Sequence, residues 1–333
     1  MHDLDAIPFP AWDLVDMQQY AAVWKKHRGY FSINMSTTRG CPFKCNWCAK
    51  PIYGNRYNAR SPRNVVDEID MLIRQFGIEH IWFCDDIFGL KPGWIKTFRD
   101  EIRARDLKIR YKIQARVDLL LEEEGGEKFT GNIRALAESG CDEVWVGAES
   151  GSQNILDAMD KGTKVEQIFT AVRNMQKEGI KPCLFLQFGY PGETFADIRK
   201  TINMVNTLVP YDIGISVSYP LPGTSFYERV KNQLQEKQNW DDSDDLAMMY
   251  RGSYPPAFYR ALHRYVHKRF RVAQGSLALR RLLTFRDPGP RATYRITGLL
   301  YFIPASIWFG IRMRMHQRIQ KDATTLQTRT ING

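Results

Sequence analysis

Short apolar runs alternate six times with helical patterns, and this alternation constrains the fold more than any other feature of the sequence. The six predicted strands are Phe31–Ser36, His80–Cys84, Lys108–Gln114, Glu143–Gly147, Cys183–Phe188 and Ile213–Ser218. Amphipathic helices between strands are typical of a parallel sheet in the α/β class. Six such units are too few for a closed eight-stranded barrel, so we predict a partial (β/α)6 TIM-like barrel.

The charge of the chain is unevenly distributed. The sequence has 47 Lys and Arg against 37 Asp and Glu, a net charge of +10. Residues 251–333 hold 16 of these basic residues and only 2 of the acidic ones, whereas the other 250 residues hold 31 against 35. An aspartate-rich turn at 241–245 marks the change. We therefore expect a connector over residues 1–30, the barrel over 31–235 and a basic, mainly helical C-terminal extension over 236–333.

Three cysteines form a cluster directly after the first predicted strand, in the pattern Cys41-x3-Cys45-x2-Cys48. In parallel α/β barrels, the loop in this position contributes to the active site. Structural zinc sites take four ligands, and ferredoxins use Cys-x2-Cys spacing with a final Cys-Pro, so neither fits well. Three thiolates can hold a [4Fe–4S] cluster with one iron free for another ligand, although zinc-binding or unligated thiols remain the alternative.

The remaining cysteines, Cys84, Cys141 and Cys183, are isolated in apolar surroundings. This distribution does not predict a disulfide framework. The N-terminus has no basic start followed by an apolar run, so it does not resemble a signal peptide. We expect a cytoplasmic protein.

The cysteine pattern, with Trp47 before the last cysteine, resembles the signature of the radical S-adenosylmethionine (SAM) enzymes, and the resemblance extends from about residue 31 to residue 228. It implies a partial (β/α)6 barrel with a [4Fe–4S] cluster on Cys41, Cys45 and Cys48. It also implies that the open iron chelates SAM, which is cleaved reductively to a 5′-deoxyadenosyl radical that takes hydrogen from a substrate. Such an enzyme, of the oxidoreductase or methyltransferase type, needs a flavodoxin- or ferredoxin-type electron donor.

Polar residues and glycines at the ends of other predicted strands supply the candidate SAM-binding residues, which are Asp85, Asp86, Gln114, Arg116, Glu149, Ser150, Gly189 and Pro191. A carboxylate at Asp85 or Asp86 suits the methionyl ammonium, and the Arg116 guanidinium suits the carboxylate. Glu149 and Ser150 suit ribose hydroxyls. A glycine-containing loop allows close approach of the adenine. The alternative interpretations are helix-capping residues and, for Arg116, an ordinary ion pair.

Three further stretches resemble the cobalamin-associated subclass, which includes the anaerobic Mg-protoporphyrin ester cyclase group and methyltransferases. They are Asp-Asp-x-Phe at 85–88, Pro-x-Pro-Gly-Thr at 220–224 and the connector at 4–12. The family's Gly-x-Pro-Gly-Glu-Thr loop is matched at 189–194. No Asp-x-His-x-x-Gly cobalamin motif occurs in the sequence. We therefore expect this sequence to lack the N-terminal domain that would bind cobalamin. Cobalamin use therefore stays open: it is not used, another chain supplies it, or the sequence is a shortened product.

The basic extension contains two notable stretches. Tyr259–Arg271 is an amphipathic helix with a cationic face, and Ile296–Ile311 has 16 uncharged residues between arginines. The second stretch is too short to span a bilayer, and we expect Pro304 to interrupt it. We expect peripheral membrane association through 256–320, at the inner face of the membrane. Packing on the barrel or on a second subunit is the main alternative, and nucleic-acid binding is disfavoured.

These features together predict a radical SAM enzyme that acts on a small apolar substrate, such as a tetrapyrrole or an isoprenoid lipid. The reaction would be an oxidative cyclisation or a methylation. Two other hypotheses stay open. One is RNA modification of the methylthiotransferase type, and the other is a non-catalytic iron–sulfur scaffold or electron-transfer subunit.

Overall fold

The computed structural model describes residues 3–48, 54–121, 129–237, 246–289 and 291–331, with side chains described as far as residue 317. The predicted acidic turn at 241–245 lies outside the described residues. The strands are β1 (Ser32–Met35), β2 (Thr38–Arg39), β3 (Asn58–Ala59), β4 (His80–Phe83), β5 (Arg110–Ala115), β6 (Cys141–Glu149), β7 (Lys181–Phe188) and β8 (Asp212–Val217). The helices are α1 (Met17–Arg28), α2 (Pro62–Phe76), α3 (Trp94–Ala104), α4 (Asn132–Glu138), α5 (Gln153–Ala158), α6 (Val165–Lys177), α7 (Phe195–Leu208), α8 (Ser225–Val230), α9 (Pro256–Leu283), α10 (Ala292–Thr297) and α11 (Leu299–Ile331).

Six strands form one parallel sheet in the order β1-β4-β5-β6-β7-β8. Strands that are neighbours in this sheet also follow one another in the sequence, apart from β2 and β3, which form a separate ribbon. The register pairs Ser32 with His80 and Met35 with Phe83, and the β5–β6 register shifts between Tyr111 and Lys112. With β1 and β8 as its two edges, the sheet confirms the predicted partial (β/α)6 barrel. Its six strands overlap the six predicted from the sequence.

The chain divides into two compact units, the first made of residues 1–148 and 166–184 and the second of residues 149–165 and 185–333. The domain boundaries expected from the sequence stay predictions. In the first unit, aromatic rings pack where β4, α3 and β5 meet, with centroids of Phe83 and Phe88 4.9 Å apart and those of Phe83 and Tyr111 5.4 Å apart. This cluster fixes the carboxyl end of β4, where Asp85 and Asp86 follow.

Local sequence explains several helix starts. The Ser61 hydroxyl accepts a hydrogen bond from the Asn64 N–H, and Pro62 lies in the first turn of α2. Thr194 and Asp197 form a capping box at α7. The Thr224 hydroxyl accepts a hydrogen bond from the Tyr227 N–H at the start of α8. The Gly-x-Pro-Gly-Glu-Thr and Pro-x-Pro-Gly-Thr stretches therefore each end in a helix cap.

In the second unit, α9 and the arm formed by α10 and α11 make an antiparallel helical hairpin. Gly275 of α9 lies against Arg295 and Leu299, while Tyr265 lies against Gly310. The expectation that Pro304 interrupts a helix is wrong, because α11 continues through it. Pro304 is the sixth residue of α11, where a proline costs the helix one hydrogen bond, to the Leu300 carbonyl. No described helix is long and apolar enough to cross a membrane.

Candidate active site

The three clustered cysteines lie on a loop that begins and ends at a two-stranded ribbon. Strand β2 pairs antiparallel with β3. The two ends of the loop between them, at residues 40 and 57, therefore lie close together beyond β1. Gly40 has φ +83°, and a Cβ there would overlap the Arg56 carbonyl oxygen, so a glycine is needed where the loop starts. Cys41 is buried, Cys45 and Cys48 are partly exposed, and none of these three cysteines forms a disulfide bond.

Arg116, at the end of β5, packs on this loop. One of its terminal nitrogens lies 3.9 Å from the Cys45 sulfur, and its guanidinium carbon lies 3.6 Å from the centre of the Phe43 ring. Its Nε also donates to Asp118 at 3.1 Å, and the residue is only 7% exposed. These contacts attach the side chain of Arg116 to two residues of the loop, Phe43 and Cys45. Arg116 therefore supports the cysteine loop, a role that the sequence did not predict.

The donor set of the loop fits an iron–sulfur cluster in kind and in number. Soft thiolate ligands favour iron–sulfur clusters, and three of them leave one iron open. Among the described residues, however, no group of three or more His, Cys, Asp and Glu side chains is arranged so as to hold a metal ion. The assignment of Cys41, Cys45 and Cys48 as cluster ligands rests on their chemistry and position, and it stays a prediction.

Asp85 and Asp86 have different surroundings, which their adjacent positions in the sequence do not reveal. Asp85 is 2% exposed and accepts hydrogen bonds from the Thr37 N–H at 2.7 Å, the Thr38 N–H at 2.9 Å, the Thr37 hydroxyl at 2.5 Å and the Ser36 hydroxyl at 3.1 Å. Burial raises the pKa of Asp85, and these four donors oppose that shift. Asp85 thus ties the end of β4 to the chain leaving β1.

Asp86 is exposed and Gln114 is partly exposed, so both remain accessible for a ligand in the first unit. Tyr57, which the sequence did not single out, connects the cysteine loop to the same strand end. Its hydroxyl donates to the Ile87 carbonyl at 3.2 Å and accepts from the Leu90 N–H at 3.1 Å. Burial raises the pKa of Tyr57, which therefore stays protonated and can donate that bond.

In the second unit, Glu149 forms a buried ion pair at the end of β6. The Lys161 ammonium donates to Glu149 Oε1 at 2.9 Å, and both side chains are less than a tenth exposed. Glu149 has φ +56°, an unusual backbone conformation for a residue other than glycine. No sequence pattern pointed to Lys161, 12 residues further on, as the partner of Glu149. The ribose role of Glu149 stays a prediction.

Ser150 is fully buried and belongs to an internal hydrogen-bond network. Its hydroxyl lies 3.2 Å from that of Thr201 and accepts the Ser152 N–H at 3.1 Å. The Ser152 hydroxyl in turn donates to Asp197 at 2.6 Å. These contacts attach the β6 exit to the start of α7. In the structure Ser150 bonds within the protein, and its predicted contact with the ribose stays a prediction.

The loop after β7 is built around a buried carboxyl group. The Gly189 N–H donates to Glu193 Oε2 at 2.6 Å, and the Tyr250 hydroxyl donates to the Gly189 carbonyl. A Cβ on Gly189 would lie 3.0 Å from Met248 and 3.1 Å from Tyr259, so side chains of this unit cover the glycine. Burial raises the pKa of Glu193 to about 8. Pro191 is partly exposed, and the adenine roles of Gly189 and Pro191 stay predictions.

Comparison with protein families adds an independent observation. The model of the radical SAM superfamily matches residues 35–205, just over half of the chain, and this range contains the cysteine loop and the ends of β4 to β7. The chain belongs to the radical SAM superfamily. It is therefore an enzyme of the radical SAM type, in a family that uses a [4Fe–4S] cluster and SAM.

Relatives of this radical SAM chain include methyltransferases and cyclases. An uncharacterized methyltransferase of Pyrococcus horikoshii is 30% identical over 242 residues, which cover 72% of this chain and 50% of that protein. The anaerobic magnesium-protoporphyrin IX monomethyl ester cyclase of Rubrivivax gelatinosus is 26% identical over 244 residues, covering 72% of this chain and 42% of the relative. The predicted similarity to the cobalamin-associated subclass is confirmed.

Among solved structures, the cobalamin-dependent SAM radical enzyme OxsB with aqua-cobalamin bound has a TM-score of 0.60 at 17% identity, covering 86% of this chain and 50% of that one. This likeness confirms the fold. The radical SAM chain spans about half the length, or less, of these curated relatives.

Proposed function

We propose that this chain carries the SAM-cleaving centre of an enzyme that modifies a small apolar substrate. The observation that carries the proposal is the loop of three cysteines beyond β1, with a terminal nitrogen of Arg116 3.9 Å from the Cys45 sulfur. Cys41, Cys45 and Cys48 would hold the [4Fe–4S] cluster. When bound, that cluster would supply the electron for the reductive cleavage of SAM, and a flavodoxin- or ferredoxin-type donor would reduce it.

The residues around the loop have separate tasks in this proposal. Arg116 packs on the Phe43 ring and places its guanidinium beside the Cys45 sulfur, so it holds the loop in position. Asp85 holds the β1 exit in place through its four hydrogen bonds. The exposed Asp86 is free of that task, so it is the carboxylate that would bind the methionyl ammonium.

Anaerobic reconstitution tests the proposal. After reduction in the presence of SAM, the protein should produce 5′-deoxyadenosine, whereas Cys45→Ala should abolish the product. Cys84→Ala is the matched control, because Cys84 is also a free and exposed thiol but lies outside the loop. Product formation no higher than that of Cys45→Ala would favour the non-catalytic scaffold instead.

The apolar substrate is supported by the relatives, one of which is named for a magnesium-porphyrin ester. We propose a tetrapyrrole or isoprenoid-lipid substrate and a methylation or an oxidative cyclisation. Adding magnesium-protoporphyrin monomethyl ester to the reduced enzyme should increase 5′-deoxyadenosine formation above the substrate-free rate. An unchanged rate with this porphyrin, together with stimulation by an unmodified transfer RNA, would favour the RNA-modification hypothesis.

A further inference from the structure

The second arm of the helical hairpin has two apolar faces, of which only one is covered. Phe302 and Met313 are 8% and 3% exposed on the side of α11 that packs against α9. A second set of apolar residues repeats every three or four positions along the helix and is exposed by 45% to 86%: Leu300, Ile303, Ile307, Ile311 and Met315. We call this set the outer stripe. It extends for about 22 Å along the helix at 1.5 Å per residue.

The tip of the hairpin is also apolar and exposed. Leu282 and Leu283, the last two residues of α9, are 51% and 70% exposed, and Phe285 in the turn that follows is 100% exposed. Exposed arginines flank these residues, at Arg280, Arg281 and Arg286, and lie near the C-terminal end of the outer stripe, at Arg312 and Arg314. The hairpin therefore combines an uncovered apolar surface with a border of positive charge.

Aromatic residues with a polar atom lie beside the outer stripe. Tyr301 and Trp308 are each 59% exposed, and Tyr294 is 63% exposed. The Lys268 ammonium from α9 lies 4.7 Å from the centre of the Tyr301 ring. Tyrosine and tryptophan concentrate at the boundary between lipid headgroups and acyl chains, because one end of each ring is apolar and the other is polar.

We propose that the outer stripe and the hairpin tip dock on an anionic lipid bilayer, with α11 lying in the plane of the headgroups. Apolar side chains would enter the boundary with the acyl chains while the arginines pair with lipid phosphates. Residues 251–333 carry 16 basic residues and 2 acidic ones, so little in this segment repels an anionic surface. This inference goes beyond the proposed reaction and does not depend on it, since docking requires no SAM cleavage.

The same surface fits other partners less well. A symmetric contact with a second copy would bring one arginine border against another, and like charges facing each other destabilise an interface. Nucleic acid would pair with the arginines but would leave the aliphatic outer stripe without an apolar partner. A bilayer of anionic lipid satisfies both parts of the surface.

Vesicle flotation tests the inference. Full-length protein should float with vesicles of 70% phosphatidylcholine and 30% phosphatidylglycerol, and bind vesicles of phosphatidylcholine alone at least tenfold more weakly. Ile307→Gln with Ile311→Gln should weaken binding to the anionic vesicles by about tenfold or more, because both side chains would lose apolar burial. Arg312→Gln with Arg314→Gln should also weaken it, with no effect on phosphatidylcholine vesicles.

The matched control replaces two exposed apolar residues far from the hairpin in sequence. Leu14→Gln with Val23→Gln changes side chains that are 83% and 59% exposed, and it should leave flotation unchanged. The inference is overturned if the wild type stays with the vesicle-free fraction. It is overturned as well if Leu14→Gln with Val23→Gln loses as much binding as Ile307→Gln with Ile311→Gln. It is also overturned if Ile307→Gln with Ile311→Gln dissociates a dimer, measured by light scattering, without changing flotation. Production of 5′-deoxyadenosine, measured without vesicles, reports on the proposed function separately.

Discussion

Two adjacent aspartates show how burial separates residues that look equivalent in the sequence. Asp85 accepts four hydrogen bonds from Ser36, Thr37 and Thr38, while Asp86 is exposed. Only the structure distinguishes a carboxylate that connects two strand ends from one that is free to meet a ligand. The difference leads to opposite predictions for the two side chains.

Asp85→Ala should destabilise the protein by about 2–4 kcal/mol, because two buried backbone N–H groups lose their acceptor. Asp86→Ala should change the unfolding free energy by less than about 0.5 kcal/mol and should weaken SAM binding instead. Urea unfolding measures the first effect, and equilibrium dialysis with labelled SAM measures the second. Equal destabilisation by both substitutions would contradict this division.

Glu193 should make folding stability depend on pH. Its pKa is about 8 in the folded protein, against a usual 4.5, so the unfolded chain loses this proton at lower pH than the folded chain does. Stability should therefore fall as pH rises from about 4.5 to 8. Glu193→Gln keeps the neutral shape, so it should be more stable than the wild type by about 1–3 kcal/mol at pH 8 and nearly equal to it at pH 4.5.

Thermal unfolding at several pH values between 4.5 and 8 checks this dependence. Glu236→Gln is the control, since Glu236 is exposed, and it should retain the wild-type slope. If Glu193→Gln retains that slope as well, Glu193 is ionised in the folded protein and the argument fails.

At the scale of the elements, local patterns of apolar residues predicted the strands and most of the helices. Contacts between distant residues determined how the helices pack against one another. The β2–β3 ribbon, α1 and α5 were not predicted, because elements of a few residues or of weak periodicity leave little pattern to read. The sequence also predicted an interruption at Pro304 that the helix tolerates. Packing against α9 stabilises α11, and the helix propensities of its residues do not include this contribution.

Gly275 should be required where α9 meets the second arm of the hairpin. A Cβ on Gly275 would lie 2.5 Å from the Arg295 carbonyl oxygen and 2.7 Å from Leu299. Gly275→Ala should therefore lower the unfolding free energy by about 1–3 kcal/mol, although alanine favours helix by about 1 kcal/mol. Ser276→Ala, at an exposed position on the same helix, should show no loss in urea unfolding. Stabilisation by Gly275→Ala would mean that the two arms do not approach so closely.

At the scale of the whole molecule, the net charge of +10 describes the C-terminal segment and not the body that carries the cysteine loop. Raising the sodium chloride concentration from 0.05 to 0.5 M should weaken binding to anionic vesicles by at least about tenfold, because salt shortens the range of the arginine–phosphate attraction. Formation of 5′-deoxyadenosine without vesicles should change by less than about twofold. Flotation at both concentrations measures the first effect, and binding that is insensitive to salt would contradict the role of the arginines.

The sequence by itself determined the repeating βα architecture, the three-cysteine pattern and the basic segment. Each of these is a local feature, because the periodicity of apolar residues in strands and helices and the spacing of ligands involve residues that are close in the sequence. Only the tertiary structure decided that Arg116 supports Cys45, 71 residues away, and that Thr201 meets Ser150, 51 residues away. It also decided which apolar face of α11 is covered and which is left for a partner. Such contacts join residues that are distant in the sequence and become neighbours only in the folded chain. Local sequence patterns therefore do not predict them.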